Sequence, residues 1–231
     1  MKRVVMVCAL SLMATSAFAA LSADEVKRLT ESGQIISELR SAPDKGIPEE
    51  LWDKAECVMV IPGLKKGAFV VGGEYGSGVM SCRKGADWTA PVFMQMMKGS
   101  VGFQIGGQET DLVLLVMNRR GLEKLLQDKV SLGADASVAA GPVGRTGTAA
   151  TDAQLHAEML AYSRSRGAFA GIDLSGGALK PDKNALEHAY GKDANAHDIV
   201  MGTSHVATPQ PAMTFLHALK NNEARATTGK K

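Results

Sequence analysis

Seven basic residues lie in or beside apparent turns of this sequence, where they are suited to bind an anion such as a lipid phosphate. Arginine binds phosphate through two parallel hydrogen bonds, and lysine binds it as a compact charge. We therefore predict a site for lipid head-group phosphates or another anion at Lys65, Lys66, Arg83 and Lys84, with Lys98, Arg119 and Arg120 as candidates for a second basic site. The alternative is that these side chains are simply solvated.

The residue types that hydrolases and metal enzymes use are present, but not in the patterns that their chemistry needs. Neither Ser163 nor Ser165 lies in a G-x-S-x-G sequence, and no general base is visible beside them. Paired carboxylates would have to come from four aspartates near turns, where this residue commonly accepts backbone hydrogen bonds: Asp111, Asp135, Asp152 and Asp173. The histidines never lie four residues apart, as two zinc ligands on one helix face would. We predict no enzyme, no metal site and no cofactor.

The glycine-rich stretch LGADASVAAGPVGRTG (132–147) raises the question of a phosphate-binding loop. Such a loop in nucleotide-binding proteins requires G-x-x-x-x-G-K-[ST], and residues 141–146 lack both that spacing and the lysine. The dinucleotide fingerprint G-x-G-x-x-G does not occur in the chain. We therefore predict no nucleotide site and interpret the small residues as ones that let strands approach closely.

Two helices precede a series of strands. Ser22-Ala23-Asp24-Glu25 is a capping box, because the Ser22 hydroxyl and the Glu25 carboxylate can each accept a backbone N–H. Apolar residues then recur at helical spacing until Pro43, which predicts an amphipathic helix over 22–40 with a balanced polar face. Pro48 begins a second, short helix.

Six short apolar runs separated by turn sequences follow: CVMVI, AFVVGGEYG, GVMSCR, APVFMQMM, SVGFQIGGQ and DLVLLVM. This alternation indicates an antiparallel meander. Successive turns of a meander lie at alternate ends, so all four residues of the first basic site would share one end and the second site the other. Glycine accounts for 25 of the 231 residues, mostly in or beside these strands, which predicts a curved sheet.

The C-terminal half is predicted to contain a helix at 121–128, further strands, two closing helices at DKNALEHAYG and PAMTFLHALK, and a polar tail. LHAEMLAYSR (155–164) has the propensity of a helix, but its place between glycine-rich extended stretches favours a strand. We predict an α+β fold in one domain over 20–222, with a tail at 223–231 that frays. Its curved, largely antiparallel sheet would be open or barrel-like and packed against N- and C-terminal helices.

The N-terminal sequence MKRVVMVCALSLMATSAFAA has the charged, apolar and cleavage regions of a secretory signal peptide. We predict that residues 1–19 are removed after Ala19 and, for a bacterial protein, that the mature chain is periplasmic or secreted. Because the chain has 26 basic and 24 acidic residues, loss of Lys2 and Arg3 makes its net charge zero. That balance argues against general nucleic-acid binding.

Cys57 and Cys82 are the cysteines that remain after such cleavage. An oxidising compartment permits a disulfide between them, and the alternative is two buried thiols. Each lies at the end of a predicted strand, which favours the disulfide if those strands are neighbours.

Four long stretches together resemble the SYLF family of lipid-binding domains: 57–83, 90–117, 132–145 and 161–177. The similarity runs from about residue 22 to about residue 220. It implies a compact domain with a curved, largely antiparallel sheet packed against helices, and no catalytic activity. Members of this family bind phospholipids, often phosphoinositides in eukaryotes, and some bind and bundle actin filaments.

Two departures restrict what the resemblance implies. The helix at 22–40 has balanced charge, whereas eukaryotic members place a membrane-binding helix or a basic stretch there. A periplasmic protein also meets neither actin nor phosphoinositides. The leading hypothesis is a non-enzymatic protein of the bacterial cell envelope that binds anionic phospholipid, with a core or an acyl groove lined by Phe69, Val71, Phe93 and Phe103. The second is a structural or protein-interaction domain of the periplasm with no lipid ligand.

Overall fold

The computed structural model describes residues 21–41, 46–68, 71–101, 108–143, 156–165 and 168–220. The predicted leader (1–19) and polar tail (223–231) lie outside the described residues. The described helices are α1 (Ala23–Ser41), α2 (Glu49–Lys54), α3 (Arg119–Leu125), α4 (Lys183–Tyr190), α5 (Ala196–Met201) and α6 (Ala212–Lys220). The described strands are β1 (Cys57–Ala68), β2 (Val71–Lys84), β3 (Asp87–Trp88), β4 (Val92–Val101), β5 (Gln108–Val116), β6 (Val130–Ser131), β7 (Val138–Ala140), β8 (Met159–Ser165), β9 (Ala168–Gly171) and β10 (Gly177–Pro181).

The strands form one curved sheet in the order β6-β10-β4-β2-β1-β5-β8-β7, with β3 beside β2 and β9 beside β8. All pairs are antiparallel except β7 with β8, so the predicted α+β class and largely antiparallel sheet are confirmed. The simple meander is wrong, because β5 crosses back to pair with β1 instead of β4.

β1 and β2 are long strands that pass through two of the predicted turns without reversing. The register of β1 shifts between Val60 and Lys65, where Pro62-Gly63 forms an irregularity and Gly63 adopts a φ of 55°. β2 continues straight through Gly76-Ser77-Gly78. A Cβ on Gly78 would collide with the Val60 carbonyl oxygen, so glycine allows the close approach of β1 at this point. A third predicted turn, at 98–100, also lies inside a strand, β4.

α1 begins at the predicted capping box and packs against α6. The Ser22 amide donates to Glu25 Oε2 at 2.7 Å, and the Glu25 amide donates to Ser22 Oγ at 3.3 Å. At the helix crossing, a Cβ on Gly33 would lie 2.9 Å from the Thr214 carbonyl carbon, so this glycine lets the two helices meet closely. Among the described residues, no helix combines the length and the apolar composition needed to cross a membrane.

Cys57 and Cys82 lie directly opposite each other on β1 and β2, and the structure joins them in a disulfide. Both are buried in the core. Phe93 belongs to the same core, with no exposed surface, rather than to a groove. Phe69 and Phe103 lie outside the described residues, as does the side chain of Val71.

The predicted strand at 155–164 is confirmed as β8, and the glycine-rich stretch before it packs closely onto that strand. β7 runs parallel to β8, and the Gly141 amide donates to the Ala161 carbonyl at 3.0 Å. A Cβ on Gly141 would collide with the Tyr162 ring. Up to residue 143, where the description stops, this stretch therefore serves close packing.

Candidate functional site

The structure separates the four residues predicted to form one lipid head-group site. Lys65 pairs in register with Tyr75 of β2, whereas Arg83 follows Cys82 at the other end of that strand. Eight residues of strand separate the two levels, or about 26 Å at roughly 3.3 Å per residue. Lys66 lies beside Lys65 in β1, and its side chain is outside the description. The prediction that these residues share an end is wrong, because Pro62-Gly63 and Gly76-Ser77-Gly78 do not reverse the chain.

The second predicted group is divided as well. Lys98 lies opposite Glu74 in the register of β4 and β2, at the same end of the sheet as Lys65. Its Nζ donates to the Asp173 carbonyl at 3.2 Å. Arg119 begins α3 directly after β5, at the opposite end, and lines a pocket with Arg83 and Lys84. The structure thus regroups the predicted cations. We define the basic end as Arg83, Lys84, Arg119 and Arg120.

Arg83 supports the fold within this basic end. Its Nε donates to the Ala55 carbonyl at 2.9 Å and its Nη2 to the Trp52 carbonyl at 3.1 Å, at the C-terminal end of α2. Its guanidinium also lies 4.8 Å from the centre of the Trp88 ring. Lys84, Arg119 and Arg120 are exposed, although Arg119 pairs with Glu123 at 3.3 Å.

A buried carboxylate lies beside the basic end. Both oxygens of Glu158 accept from Lys124 Nζ at 2.8 Å, and Oε2 also accepts from the Ser137 amide at 2.9 Å. Burial raises the pKa of Glu158, but these hydrogen bonds and the nearby positive charge outweigh it and hold the pKa below its ordinary value. Because Glu158 neutralises Lys124, the excess charge here comes from the exposed arginines.

The candidate catalytic side chains that the structure describes serve turns and strands. Asp135 accepts from the Ser131 amide at 2.8 Å, and Asp173 accepts from the Ser175 amide at 2.8 Å. Ser163 Oγ lies 3.5 Å from the Ala170 carbonyl on the neighbouring strand. Asp152 and the side chain of Ser165 lie outside the described residues. Asp135 and Asp173 therefore have the turn-stabilising role that their sequence context allowed.

Asp111 is the centre of a polar network that attaches α1 to the sheet. Its Oδ1 accepts from the Gly63 amide at 2.9 Å, and its Oδ2 accepts from Arg164 Nε at 2.8 Å. The Arg164 Nη1 group then forms an ion pair with Glu38 of α1. The network therefore holds together the irregularity in β1, the strands β5 and β8, and the last turns of α1.

This network forms part of the lining of a groove of about 440 Å³ between α1 and the face of the sheet. We call it the α1 groove. One wall is the polar side of α1, including Lys27, Glu31 and Glu38, and the other is formed by Lys65, Tyr75 and Glu109 on three adjacent strands.

The sheet wall of the α1 groove belongs to a row of side chains at one level of the sheet. In the strand register, Glu109 lies opposite Lys65, Lys65 opposite Tyr75, and Tyr75 opposite Met97. All four side chains therefore project from the same face of the sheet. We call these four residues the outer row. Tyr75 is 48% exposed and Met97 38% exposed, and both are among the few large apolar side chains that the described surface presents. Because Tyr75 and Met97 lie opposite each other on β2 and β4, they form one small exposed apolar patch in the outer row.

Sequence reasoning missed the outer row because its residues are far apart along the chain. A tyrosine in a strand carries no signal that it faces solvent, and the Lys65–Glu109 neighbourhood depends on β5 crossing back to β1. The exposed position of Tyr75 follows only from the irregularity in β1 and the full length of β2.

Comparison with known proteins relates this architecture to an established family. A family model described as "Las17-binding protein actin regulator", Ysc84, matches residues 97–222. SH3 domain-containing YSC84-like protein 1 from Rattus norvegicus is 35% identical over 188 residues, which cover 80% of this chain and 53% of the relative. The chain belongs to the Ysc84 family. The resemblance to SYLF domains is thereby confirmed.

Other members of the Ysc84 family match to a similar degree. The Homo sapiens YSC84-like protein 1 is 34% identical over 188 residues, covering 80% of this chain and 53% of the relative. LAS seventeen-binding protein 3 of Saccharomyces cerevisiae is 32% identical over 185 residues, covering 78% of this chain and 39% of the relative. The chain thus spans about half the length or less of these curated relatives. The family match begins at Met97, in the outer row, and extends past α6.

Proposed function

We propose that this Ysc84-family chain is a non-enzymatic protein-interaction domain that holds its partner at the α1 groove. The observation that carries the proposal is the exposed Tyr75–Met97 pair at the edge of that groove. Aromatic and methionine side chains are enriched at protein interfaces, where they bury large apolar areas. The family description and the name of the yeast relative both refer to binding another protein, which supports the same class of function.

Site-specific photocrosslinking tests this proposal. The photoreactive residue benzoylphenylalanine would replace Tyr75 in the full-length protein, expressed in its own host and irradiated there. Glu187, exposed on α4, provides the matched control position. We expect a discrete protein adduct from position 75 and none from position 187. Absence of a protein adduct at 75, or the same adducts from both positions, would contradict the proposal.

A second candidate function, binding of anionic phospholipid, is favoured by the basic end. Strand register and the start of α3 bring Arg83, Lys84 and Arg119 to one pocket, where lipid phosphates would find several donors. The basic end takes the place of the head-group site predicted from the sequence at Lys65, Lys66, Arg83 and Lys84. Those residues lie too far apart to contact one head group.

Vesicle flotation tests this second candidate by comparing lipid binding by variants altered at the two ends of the sheet. The variant Lys84→Glu/Arg119→Glu alters the basic end, and Lys65→Glu/Lys98→Glu makes the same change of charge at the other end. We expect only the first variant to lose binding to phosphatidylglycerol vesicles, and wild-type binding to weaken as salt rises. Equal binding by the two variants would remove the basic end from consideration. Arg83 is left unchanged because its replacement would also disturb α2.

We also propose that the chain is exported and that residues 1–19 are removed. A disulfide supports this proposal, because disulfides persist in oxidising compartments and are rare in the cytosol.

A further inference from the structure

We infer that the α1 groove selects a segment of its protein partner that carries lysine or arginine beside an apolar side chain. This inference rests on the proposed function and concerns the chemistry of the partner. It follows from which charges along the groove are already neutralised within the protein.

Of the four basic side chains that the structure describes in the groove, three already have acidic partners. Arg28 pairs at 2.9 Å with Asp182, which lies outside the groove lining. Arg164 pairs with Glu38 and Asp111 together, and Lys27 lies 3.8 Å from Glu31. Among the described side chains of the lining, Lys65 is the remaining basic residue.

The acidic side chains exceed these cations. The described residues of the lining include five carboxylates, namely Asp24, Glu31, Glu38, Glu109 and Asp111, against the four basic residues just named. Since Arg28 is neutralised by Asp182 outside the groove, the surface offered to a partner is net negative. Glu109 lies exposed in the outer row, beside Lys65 and one strand away from Tyr75.

The geometry of the outer row suits a cationic side chain with a long aliphatic stem. Strands lie about 4.8 Å apart, so Tyr75 and Glu109, separated by one strand, are about 10 Å apart across the sheet. A lysine or arginine can lay its stem along the Tyr75 ring and extend its charged group to Glu109, past Lys65, which lies between them in the outer row. The Tyr75 hydroxyl accepts from Ser77 Oγ at 3.2 Å, which helps to hold the ring in place. Met97 extends the apolar contact on the other side of the ring.

Selection from a random peptide library displayed on phage tests this inference, with the protein isolated from its own host as target. Peptides that compete with one another for a site that includes Tyr75 are sequenced. The affinity of each for the protein is measured by fluorescence anisotropy. We expect an excess of lysine and arginine next to aromatic or long aliphatic residues. Glu109→Lys should weaken binding at least about tenfold, equivalent to about 1.4 kcal/mol, while Glu187→Lys on α4 leaves it unchanged.

Several outcomes would overturn the inference. Selected peptides that are neutral or acidic, an unchanged affinity in Glu109→Lys, or a library that yields no binder at Tyr75 would each do so. Circular dichroism and the urea midpoint of the variant establish that it is folded, and Glu109→Gln provides a milder change with an expected smaller loss. If position 75 still crosslinks to a protein, only the charge preference fails; if it crosslinks to none, the proposed function fails.

Discussion

Arg28 of α1 donates a hydrogen bond to Asp182, the residue that precedes α4, over a distance of 2.9 Å. Glu25, three residues earlier, contacts His188 of α4 at 2.9 Å. These two contacts fix the N-terminal half of α1 to α4, and the Glu38–Arg164 pair fixes its C-terminal half to the sheet. One wall of the α1 groove is therefore held at both ends by pairs between residues distant in sequence.

Replacement of Asp182 should separate its two roles. Its Oδ2 pairs with Arg28, while its Oδ1 accepts from the Ala185 amide at 3.3 Å as the N-cap of α4. Asp182→Asn keeps a capping oxygen but leaves Arg28, only 22% exposed, without a counter-charge, so we expect a loss of roughly 2 kcal/mol. Asp182→Ala should cost roughly 1 kcal/mol more, because the cap is lost too. Urea unfolding measures both, and equal stability of the two variants would contradict the capping role.

The Lys124–Glu158 pair should make stability depend on pH. The folded-state pKa of Glu158 is lowered from its ordinary value of 4.5, so the carboxylate stabilises the fold above that value. This contribution is lost as pH falls through the lowered pKa. Glu158→Gln should therefore be less stable than wild type near neutral pH, and this difference in stability should narrow as pH falls below 4.5. Urea unfolding across this range measures the gap.

Two observations check that interpretation of Glu158. Lys124→Met removes a cation that lowers the pKa of Glu158. The difference in free energy of unfolding between this variant and wild type should therefore also narrow at acidic pH. A gap that stays constant between neutral and acidic pH in Glu158→Gln would mean that packing, not charge, is responsible.

The glycines of β2 and β4 should differ sharply in their tolerance of alanine. At Gly78 the added Cβ would strike the Val60 carbonyl oxygen and lie 2.8 Å from the Ile61 Cα, both backbone atoms that cannot move easily. We expect Gly78→Ala to lower the free energy of unfolding by about 3 kcal/mol. Gly76→Ala should cost less, because the atoms nearest its Cβ, Ile61 Cγ2 at 2.5 Å and Leu64 Cδ1 at 2.7 Å, belong to side chains and not to the backbone.

Gly99→Ala is the matched control in the neighbouring strand. Nothing lies within 4 Å of its added Cβ, so we expect no loss of stability and a small gain from reduced freedom of the unfolded chain. Thermal unfolding ranks the three variants, with soluble yield as a second measure for Gly78→Ala. Any order other than Gly78, Gly76, Gly99 would contradict the close approach of β1 and β2.

Local features were predicted from the sequence, and features that depend on register were not. The Ser22–Glu25 capping box involves residues three apart, and β8 was recognised from its glycine-rich neighbours. Pro62-Gly63 and Gly76-Ser77-Gly78 have the composition of turns, but in the folded chain they form an irregularity in β1 and the close approach opposite it. That distinction depends on strand pairing, which no local pattern contains. Each turn predicted where the chain does not reverse inverted the predicted direction of every later strand. The basic residues were therefore assigned to the wrong ends of the sheet.

The Cys57–Cys82 disulfide and the predicted export of the chain can be tested on the protein isolated from its own host. If both are correct, its intact mass corresponds to a chain that begins at Ala20 and lacks the two hydrogens of the free thiols. The disulfide encloses a loop with a sequence separation of 25 residues, so Cys57→Ala/Cys82→Ala should lower the free energy of unfolding by about 3 kcal/mol. Urea unfolding of the double variant measures this loss. Retention of residues 1–19 would contradict export, and alkylation of both cysteines in the denatured protein without a reductant would contradict the disulfide.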